Sequence, residues 1–535
     1  MTENTNNKVV VIGLDGGTFK LLKPLAEEGL MPNFKKLLDK GSHSILWSTM
    51  PPMTGTAWSS FATGKTPGKH TVYDFLLPDE DLSKFHITSC KDIKGKTLPE
   101  IIYENSKHPI TVNMPNSWPP RLGNTGEVVI TSILTQGDQW IWPEGLEKEI
   151  PELKDYQLTP NESLRLKGAK DSYADEVLDL VDKQMACVQK LFKQKPWDFF
   201  FYLFSSTDWI QHASYDELLE NRAESPLRIY KQVDKYLGWF IENLPENADL
   251  MIMSDHGFKS FKKTFFFNKW LEKEGYLKTK STGDDFKEAV TRRAKETEKV
   301  RAKKKKFSIG KPIFDLMEKM PWLEKPAKNV YHKVVKKYLP VNVKVDIGID
   351  YDNTKCCFPK GSYITNAYIN DTKKFKNGIV KTDEEYNQIR DEIIDKIKNL
   401  KGPDGDPVVA DVFTKEQIYG EDTATMCPDL FFKHADYWLD GQFHTGKLFE
   451  KGVVSNKHDF DGVFIAYGPS FKEGHEIKQK IGIKDIAPNI LHLMDVPVPK
   501  DMDGKIIDEI YKNSKEVKYQ NDKDQLSSLV ADIEI

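Results

Sequence analysis

The chain has few of the residues that would assign it to several common classes. Five cysteines in 535 residues, Cys90, Cys187, Cys356, Cys357 and Cys427, are odd in number and sparse, with no CxxC spacing. That excludes a disulfide framework and a thiolate metal site, and it fits a reducing, cytoplasmic setting. Nowhere do 18 apolar residues run together, and the opening "MTENTNNK" is polar, so the expectation is a soluble protein that is not exported. Neither sign of charge dominates. Lys plus Arg number 77 against 81 Asp plus Glu, a net charge of -4, which offers no whole-chain attraction to a nucleic-acid polymer or a membrane. "GLDGG" (13 to 17) is not a GxGxxG, which removes the main argument for a dinucleotide. No internal repeat occurs.

What is present is an ordinary globular composition, 39% hydrophobic and 11% aromatic, enough for two or more domains or one large domain with insertions. "KVVVIGLDGG" (8 to 17), "PITVNMP" (109 to 115), "DFFFYLFSS" (198 to 206), "DLMIMSD" (249 to 255) and "GVFIAYGP" (462 to 469) are apolar runs that read as strands buried on both faces. Helical patterns separate them, at 175 to 194, 227 to 243 and 384 to 400. This alternation predicts an α/β fold with a central, mostly parallel sheet flanked by helices, and ligands at the carboxyl ends of its strands. Residues 290 to 339 differ, with 16 Lys or Arg (including Lys303 to Lys306) against 5 Asp or Glu, a local charge of +11. They read as a basic helical insertion or cap, whose bland role is a solvated surface. Its functional role would be to attract polyanionic substrates or touch a membrane surface. The expected division is an α/β core over 1 to 280 and 346 to 505, a basic helical insertion over 281 to 345, and a polar tail over 506 to 535.

The residues closing the apolar runs carry the chemistry. Asp15 follows the first, Asp208 and His212 sit in "FSSTDWIQH", Asp255 and His256 end "MIMSDHG", and His458 precedes "DGVFIAYGP". A single Asp after a strand is more often a helix cap or turn residue than a ligand. Six carboxylates and imidazoles at the ends of successive strands are a different matter. Without thiolates they suit Zn²⁺ first and Mn²⁺ second. Six ligands exceed what one catalytic ion with open positions needs, and they suit two ions roughly 4 Å apart. Asp208 and His212, four apart, share a face if the strand turns into a helix there. The remaining histidines, His43, His70, His86, His108, His332, His444 and His492, lack this context and read as surface or core residues, with His70 and His444 the first exceptions to check.

A two-ion site also needs a nucleophile. In "TMPPMTGTAWSSFATGKTPGKH" (49 to 70) two prolines stop a strand, and "GTAWSSFATG" reads as a short helix closed by Gly64. Thr54 at its start would feel the helix dipole and could serve as nucleophile, or it could simply cap the helix. Thr56, Ser59 and Ser60 are rivals lying deeper in the helix.

Together these stretches resemble the alkaline phosphatase superfamily, and within it the type I phosphodiesterase/nucleotide pyrophosphatase-like phosphohydrolases. "VVVIGLDGG", "PPMTGTAWSSFATGKTPGKHTVYDF", "FSSTDWIQH", "MIMSDHGF", "KHDFDGVFIAYGP" and "IKDIAPNILHLMDVPVPKDMDG" follow in the family's order across nearly the whole chain. The resemblance implies one metal on Asp208, His212 and His458, another on Asp15, Asp255 and His256, and Thr54 as the bridging nucleophile. It implies a phosphate ester substrate, nucleotide-, sugar- or lipid-linked, and a monomer or homodimer. Phosphomonoesterase and phospho-group transferase activity, or an inactive scaffold, are the alternatives. Phe75 departs from the family pattern, which has an Asn there to hold a phosphate oxygen, so Lys65 and Asn113 become candidates for that role. Thr71 replaces the usual Gly after His70. A sulfatase-type C-x-P-x-R motif is absent, and the inserted domain of cofactor-independent phosphoglycerate mutases would be placed differently.

Overall fold

The computed structural model of the chain describes residues 7–122, 127–280, 348–358, 366–421, 423–442, 447–513 and 515–520. The basic stretch 290 to 339 lies outside the described residues, as do His332 and His444.

The main sheet has ten strands. Across it run His475–Glu476, Ser42–Trp47, Asp461–Tyr467, Ala248–Met253, Lys8–Leu14, Phe199–Phe204, Pro109–Val112, Val128–Ile130 and Ile141–Trp142, with Ile481–Gly482 also pairing with Ser42–Trp47. Strands rich in Val, Ile and Phe occupy its centre because both faces are covered. Along Lys8–Leu14, Val10, Ile12 and Leu14 enter one core while Val9 and Val11 enter the other. The first core packs under the helices Phe19–Glu27, Pro32–Lys40, Lys170–Gln194 and Glu224–Asn243. The second packs under Thr54–Thr63, Leu98–Glu104 and Ile486–Leu493. Each large apolar side chain so buried contributes roughly 1.5–3 kcal/mol.

One strand differs from the sequence-based expectation. Asp461–Tyr467, grouped there with the parallel strands, runs antiparallel to both neighbours, Ala248–Met253 and Ser42–Trp47. Its apolar run is as continuous as the others because it is equally buried, so composition does not reveal its direction. The consequence is geometric. His458 precedes this strand, and an antiparallel strand begins at the edge where its neighbours end.

A smaller second sheet, Cys356–Cys357, Asn366–Ile369, Leu430–His434 and Val409–Thr414, carries a core of its own beneath the helix Asp383–Asn399. That helix starts where Thr382 accepts the Glu385 amide at 3.2 Å, and its first turn is acidic. Between the two lobes, Gly257–Phe266 pairs with Tyr437–Asp440 on one side and Phe449–Asp459 on the other. Among the described residues, no helix is long and apolar enough to cross a membrane.

Candidate active site

Four strands of the main sheet and one of the three-stranded sheet deliver the site. Asp15 follows Lys8–Leu14, and Asp255 and His256 follow Ala248–Met253. Gly16 turns with φ +66, and its amide reaches Asp255 Oδ1 at 3.1 Å. Gly257 is required by close approach, since a β-carbon there would strike the Asp461 carbonyl. Phe199–Phe204 passes into the helix Ser206–Asn221, which places Asp208 in its first turn and His212 one turn on. His458 stands opposite Phe258 in the antiparallel pair. Ser42–Trp47 leads through Pro51 and Pro52 into Thr54–Thr63, a helix whose ten residues are all buried and which Gly64 closes at φ +64.

Asp208 Oδ1, His212 Nε2 and His458 Nε2 form a triangle with edges of 3.4, 3.4 and 3.1 Å. His256 Nε2 lies 3.2 Å from Asp255 Oδ2 and 3.7 Å from Asp15 Oδ1. The two groups touch, because His256 and His458 stack with ring centres 3.6 Å apart. Thr54 Oγ1 is 3.2 Å from His256 Nε2. It does not cap its helix: Met53 occupies that position, without a side-chain bond.

The histidines are oriented from behind. Nδ1 of His212 donates to Asn456 O at 3.0 Å, that of His458 to Pro52 O at 3.0 Å and that of His256 to Gly257 O at 3.1 Å. With the ring hydrogen spent there, each Nε2 presents a lone pair inward. Burial lowers the pKa of His212 and His458 to about 3 and that of His256 to about 4, which keeps all three rings neutral. Burial, with Asp255 and Asp208 nearby, drives Asp15 well above the usual carboxylate range, and burial likewise raises Asp255. Asp15 Oδ1, Asp208 Oδ1 and Asp255 Oδ2 are buried with no hydrogen-bond partner. Three unpaired carboxylate oxygens facing three imidazole lone pairs is costly in a protein interior unless cations neutralise it. The donor set therefore fits divalent ions. Asp208, His256 and His458 have ligand atoms within 4.8 Å of one another, and so do Asp15, Asp255 and His256.

Other candidates are placed elsewhere. Ser59 Oγ donates to Gly55 O at 2.7 Å within the helix, and Ser60 Oγ pairs with His70 Nε2 at 2.8 Å beyond it, so both rival hydroxyls are engaged. Thr56 Oγ1 is buried without a partner. His70 accepts the Val72 amide on Nδ1 and braces the helix through Ser60. Lys65 and Asn113 are not at the site. Lys65 lies past the far end of the helix that Thr54 opens, about 15 Å of rise away, and is paired with Asp501. The Asn113 amide is consumed by Gln184, Leu203 O and the Tyr156 hydroxyl. Phe75 and Asn116 instead lie against the start of that helix: a β-carbon on Gly55 would lie 3.2 Å from the Phe75 ring and from Asn116 Nδ2. Sequence reasoning passed over Asn116, and it passed over the carbonyls of Pro52 and Asn456, which no residue type marks.

A sequence model of type I phosphodiesterase / nucleotide pyrophosphatase matches residues 9–348, more than half of the chain. The chain belongs to this family. Membership makes it a hydrolase of phosphoric esters. No curated protein sequence matches it significantly. Among solved structures, phosphonoacetate hydrolase from Sinorhizobium meliloti 1021, in complex with phosphonoformate, shares the fold at a TM-score of 0.53 and 13% identity over 92% of this chain and 96% of that one. Human ectonucleotide pyrophosphatase / phosphodiesterase 5 aligns at 0.50 and 12% identity over 95% of this chain and 100% of that one. The mixed α/β architecture of this phosphodiesterase-family member is thus that of the alkaline phosphatase superfamily.

Proposed function

We propose that this protein hydrolyses phosphoric diesters through Thr54, at a site for two divalent cations. The observation that carries the reading is the Thr54 hydroxyl, buried at a helix start 3.2 Å from His256 Nε2 and beside three carboxylates with unpaired inward oxygens. Asp208, His212 and His458 would hold one cation and Asp15, Asp255 and His256 the other, with Zn²⁺ preferred and Mn²⁺ next for this oxygen and nitrogen set. Bound there, the cations would supply positive charge that favours an ionised threonine oxygen and offsets charge on the phosphoryl oxygens.

Thr54 Oγ1 attacks phosphorus in line. Its bond to phosphorus forms as the bond to the leaving ester oxygen breaks, giving a phosphothreonine ester. The threonine proton passes to solvent, and the departing alcohol takes one from water. A second in-line attack by water splits the phosphorus–Oγ1 bond and restores the hydroxyl. The Gly55 and Thr56 amides, in the first turn, have no acceptor among the described residues. They can donate to a non-bridging phosphoryl oxygen at the positive end of the helix, a role that neither Lys65 nor Asn113 can fill from where they lie.

The test is elemental analysis followed by turnover of 4-nitrophenyl phosphate mono- and diesters with added Zn²⁺ or Mn²⁺. About two ions per chain, diester turnover abolished by chelation, and its loss in Thr54→Ala are expected. A protein that binds no transition metal and is activated by none would refute the two-cation site. A monoester preference would make it a phosphomonoesterase, and capture of the phosphoryl group by added alcohol a transferase.

A further inference from the structure

We propose that Gln211 and Thr207, with Ser254, are positioning residues that hold the turn of Asp15, Gly16 and Gly17 and thereby tie the two cation half-sites together. The inference rests on the two-cation reading and adds what fixes one half against the other. The carbonyls of the turn face three different donors. Thr207 Oγ1 donates to Asp15 O at 2.6 Å, Gln211 Nε2 to Gly16 O at 2.9 Å and Ser254 Oγ to Gly17 O at 2.7 Å. All three side chains are buried. The amides are engaged as well: Asp15 N donates to Phe204 O at 3.1 Å, Gly16 N to Asp255 Oδ1 at 3.1 Å and Gly17 N to Leu14 O at 2.8 Å. A glycine turn at a strand end is ordinarily adjustable, and this one has every backbone polar group matched.

The donors come from the elements that carry the other ligands. In the helix Ser206–Asn221, Asp208 and His212 are four apart and share one face, and Thr207 and Gln211, also four apart, share the adjoining one. A single stretch of helix thus serves both half-sites. It presents Asp208 and His212 to one cation, and it grips the turn that carries Asp15 for the other. Gln211 reaches further, because the residue whose carbonyl it holds gives its own amide to Asp255 Oδ1. Ser254 directly precedes Asp255. Its hydroxyl also accepts the Val463 amide at 2.7 Å, from the strand that follows His458.

Charge is the reason that such bracing matters. Asp15 Oδ1 and Asp255 Oδ2 have no hydrogen-bond partner and their residues belong to one ligand group, so their mutual repulsion pushes the turn away from Asp255. Hydrogen bonds to three successive carbonyls oppose that movement without adding charge to the site. The space is tight too: a β-carbon on Gly16 would lie 3.0 Å from Gln211 Nε2 and from the Phe258 ring. Packing and hydrogen bonding together select one position of the turn.

The test titrates Mn²⁺ into metal-free protein by calorimetry and records the paramagnetic resonance spectrum, which broadens where two Mn²⁺ ions lie close. Wild type is expected to bind two ions with a spin-coupled spectrum. Gln211→Met keeps the side chain's length and removes its donor. Thr207→Val keeps the shape and removes the hydroxyl, which Thr207→Ser retains. In the Met and Val variants one ion should bind as in wild type, because Asp208 and His212 keep their helix. The other should weaken about two- to tenfold, the worth of one neutral hydrogen bond. At half-saturating Mn²⁺ the coupled spectrum should give way to that of isolated ions, and Thr207→Ser should restore it. Thr382→Ala removes a helix cap in the second lobe; it controls for lost stability and should leave both affinities unchanged. Affinities within about twofold of wild type in both variants, less than one hydrogen bond is worth, or a loss shared equally by the two ions, overturn the positioning role while the two-cation site stands. A wild type that binds fewer than two ions, or two that are not spin-coupled, overturns the two-cation reading and the positioning role with it.

Discussion

Replacing Asp255 by Asn should change stability in opposite directions with and without metal. The side chain is fully buried, its Oδ1 takes the Gly16 amide, and its Oδ2 has no partner. Asn preserves the shape and the Oδ1 bond and removes one charge. Ligand oxygens of Asp15 and Asp255 lie within 4.8 Å, so at an effective dielectric constant near 20 the repulsion of the ionised pair is on the order of 3 kcal/mol. In EDTA at pH 8 that repulsion is relieved, and part of it, about 1–3 kcal/mol, appears as added stability. With an unfolding entropy of about 2.1 cal/mol/K per residue, a chain of this length should gain about 1–3 °C in Tm. With Zn²⁺ the same substitution deletes a ligand. Metal affinity should fall at least a hundredfold, and the metal-dependent rise in Tm should shrink with it. Differential scanning calorimetry in EDTA and in saturating Zn²⁺ reads both arms. A Tm lowered by the same amount in each would refute the reasoning, because it would make Asp255 a satisfied structural carboxylate.

Thr54→Ala should cost roughly a thousandfold or more in kcat while bound metal stays at the wild-type level, whereas Thr56→Ala should be mild. If Thr56→Ala is the dead variant, the nucleophile has been misplaced. Gly55→Ala puts a β-carbon 3.2 Å from both Asn116 Nδ2 and the Phe75 ring, so kcat/KM should fall about tenfold even though the helix gains up to about 1 kcal/mol in propensity. A parallel drop in Tm would reveal general damage instead. His70 is buried and neutral with its pKa lowered from 6.5 to about 3. A depressed folded value means that its contribution is complete above pH 6.5 and is lost as pH falls from there toward 3, by up to about 1.4 kcal/mol per pH unit. Urea midpoints at pH 7 and 5 should therefore diverge more in wild type than in His70→Gln, and equal slopes would remove His70 from the account.

Much of the site could be read along the chain because it is assembled from local patterns. A run such as "VVVIGL" can be stable only where both faces are buried, and a charged residue directly after it must sit at the sheet's edge. The two prolines before Thr54 and the glycine at 64 likewise bound their helix through backbone restrictions that hold in any fold. The polar residues of the helix itself were less legible. Thr54, Thr56, Ser59 and Ser60 are chemically alike, and only packing separates the hydroxyl beside His256 from those turned onto Gly55 O and His70.

What the sequence by itself determined is the α/β class, the strand ends and the kind of atoms gathered there, since burial periodicity and residue chemistry are local quantities. Only the tertiary structure decided which of those atoms meet. His212 and His458 are 246 positions apart, yet their Nε2 atoms lie 3.1 Å from each other. They meet because Asp461–Tyr467 runs against its neighbours and so begins at the edge where they end. Asn113 and Asn116 carry the same side chain three residues apart, and one turns toward Gln184 while the other turns toward Gly55. Strand direction and loop path are set by the sum of many distant contacts, and no short window of residues contains that sum.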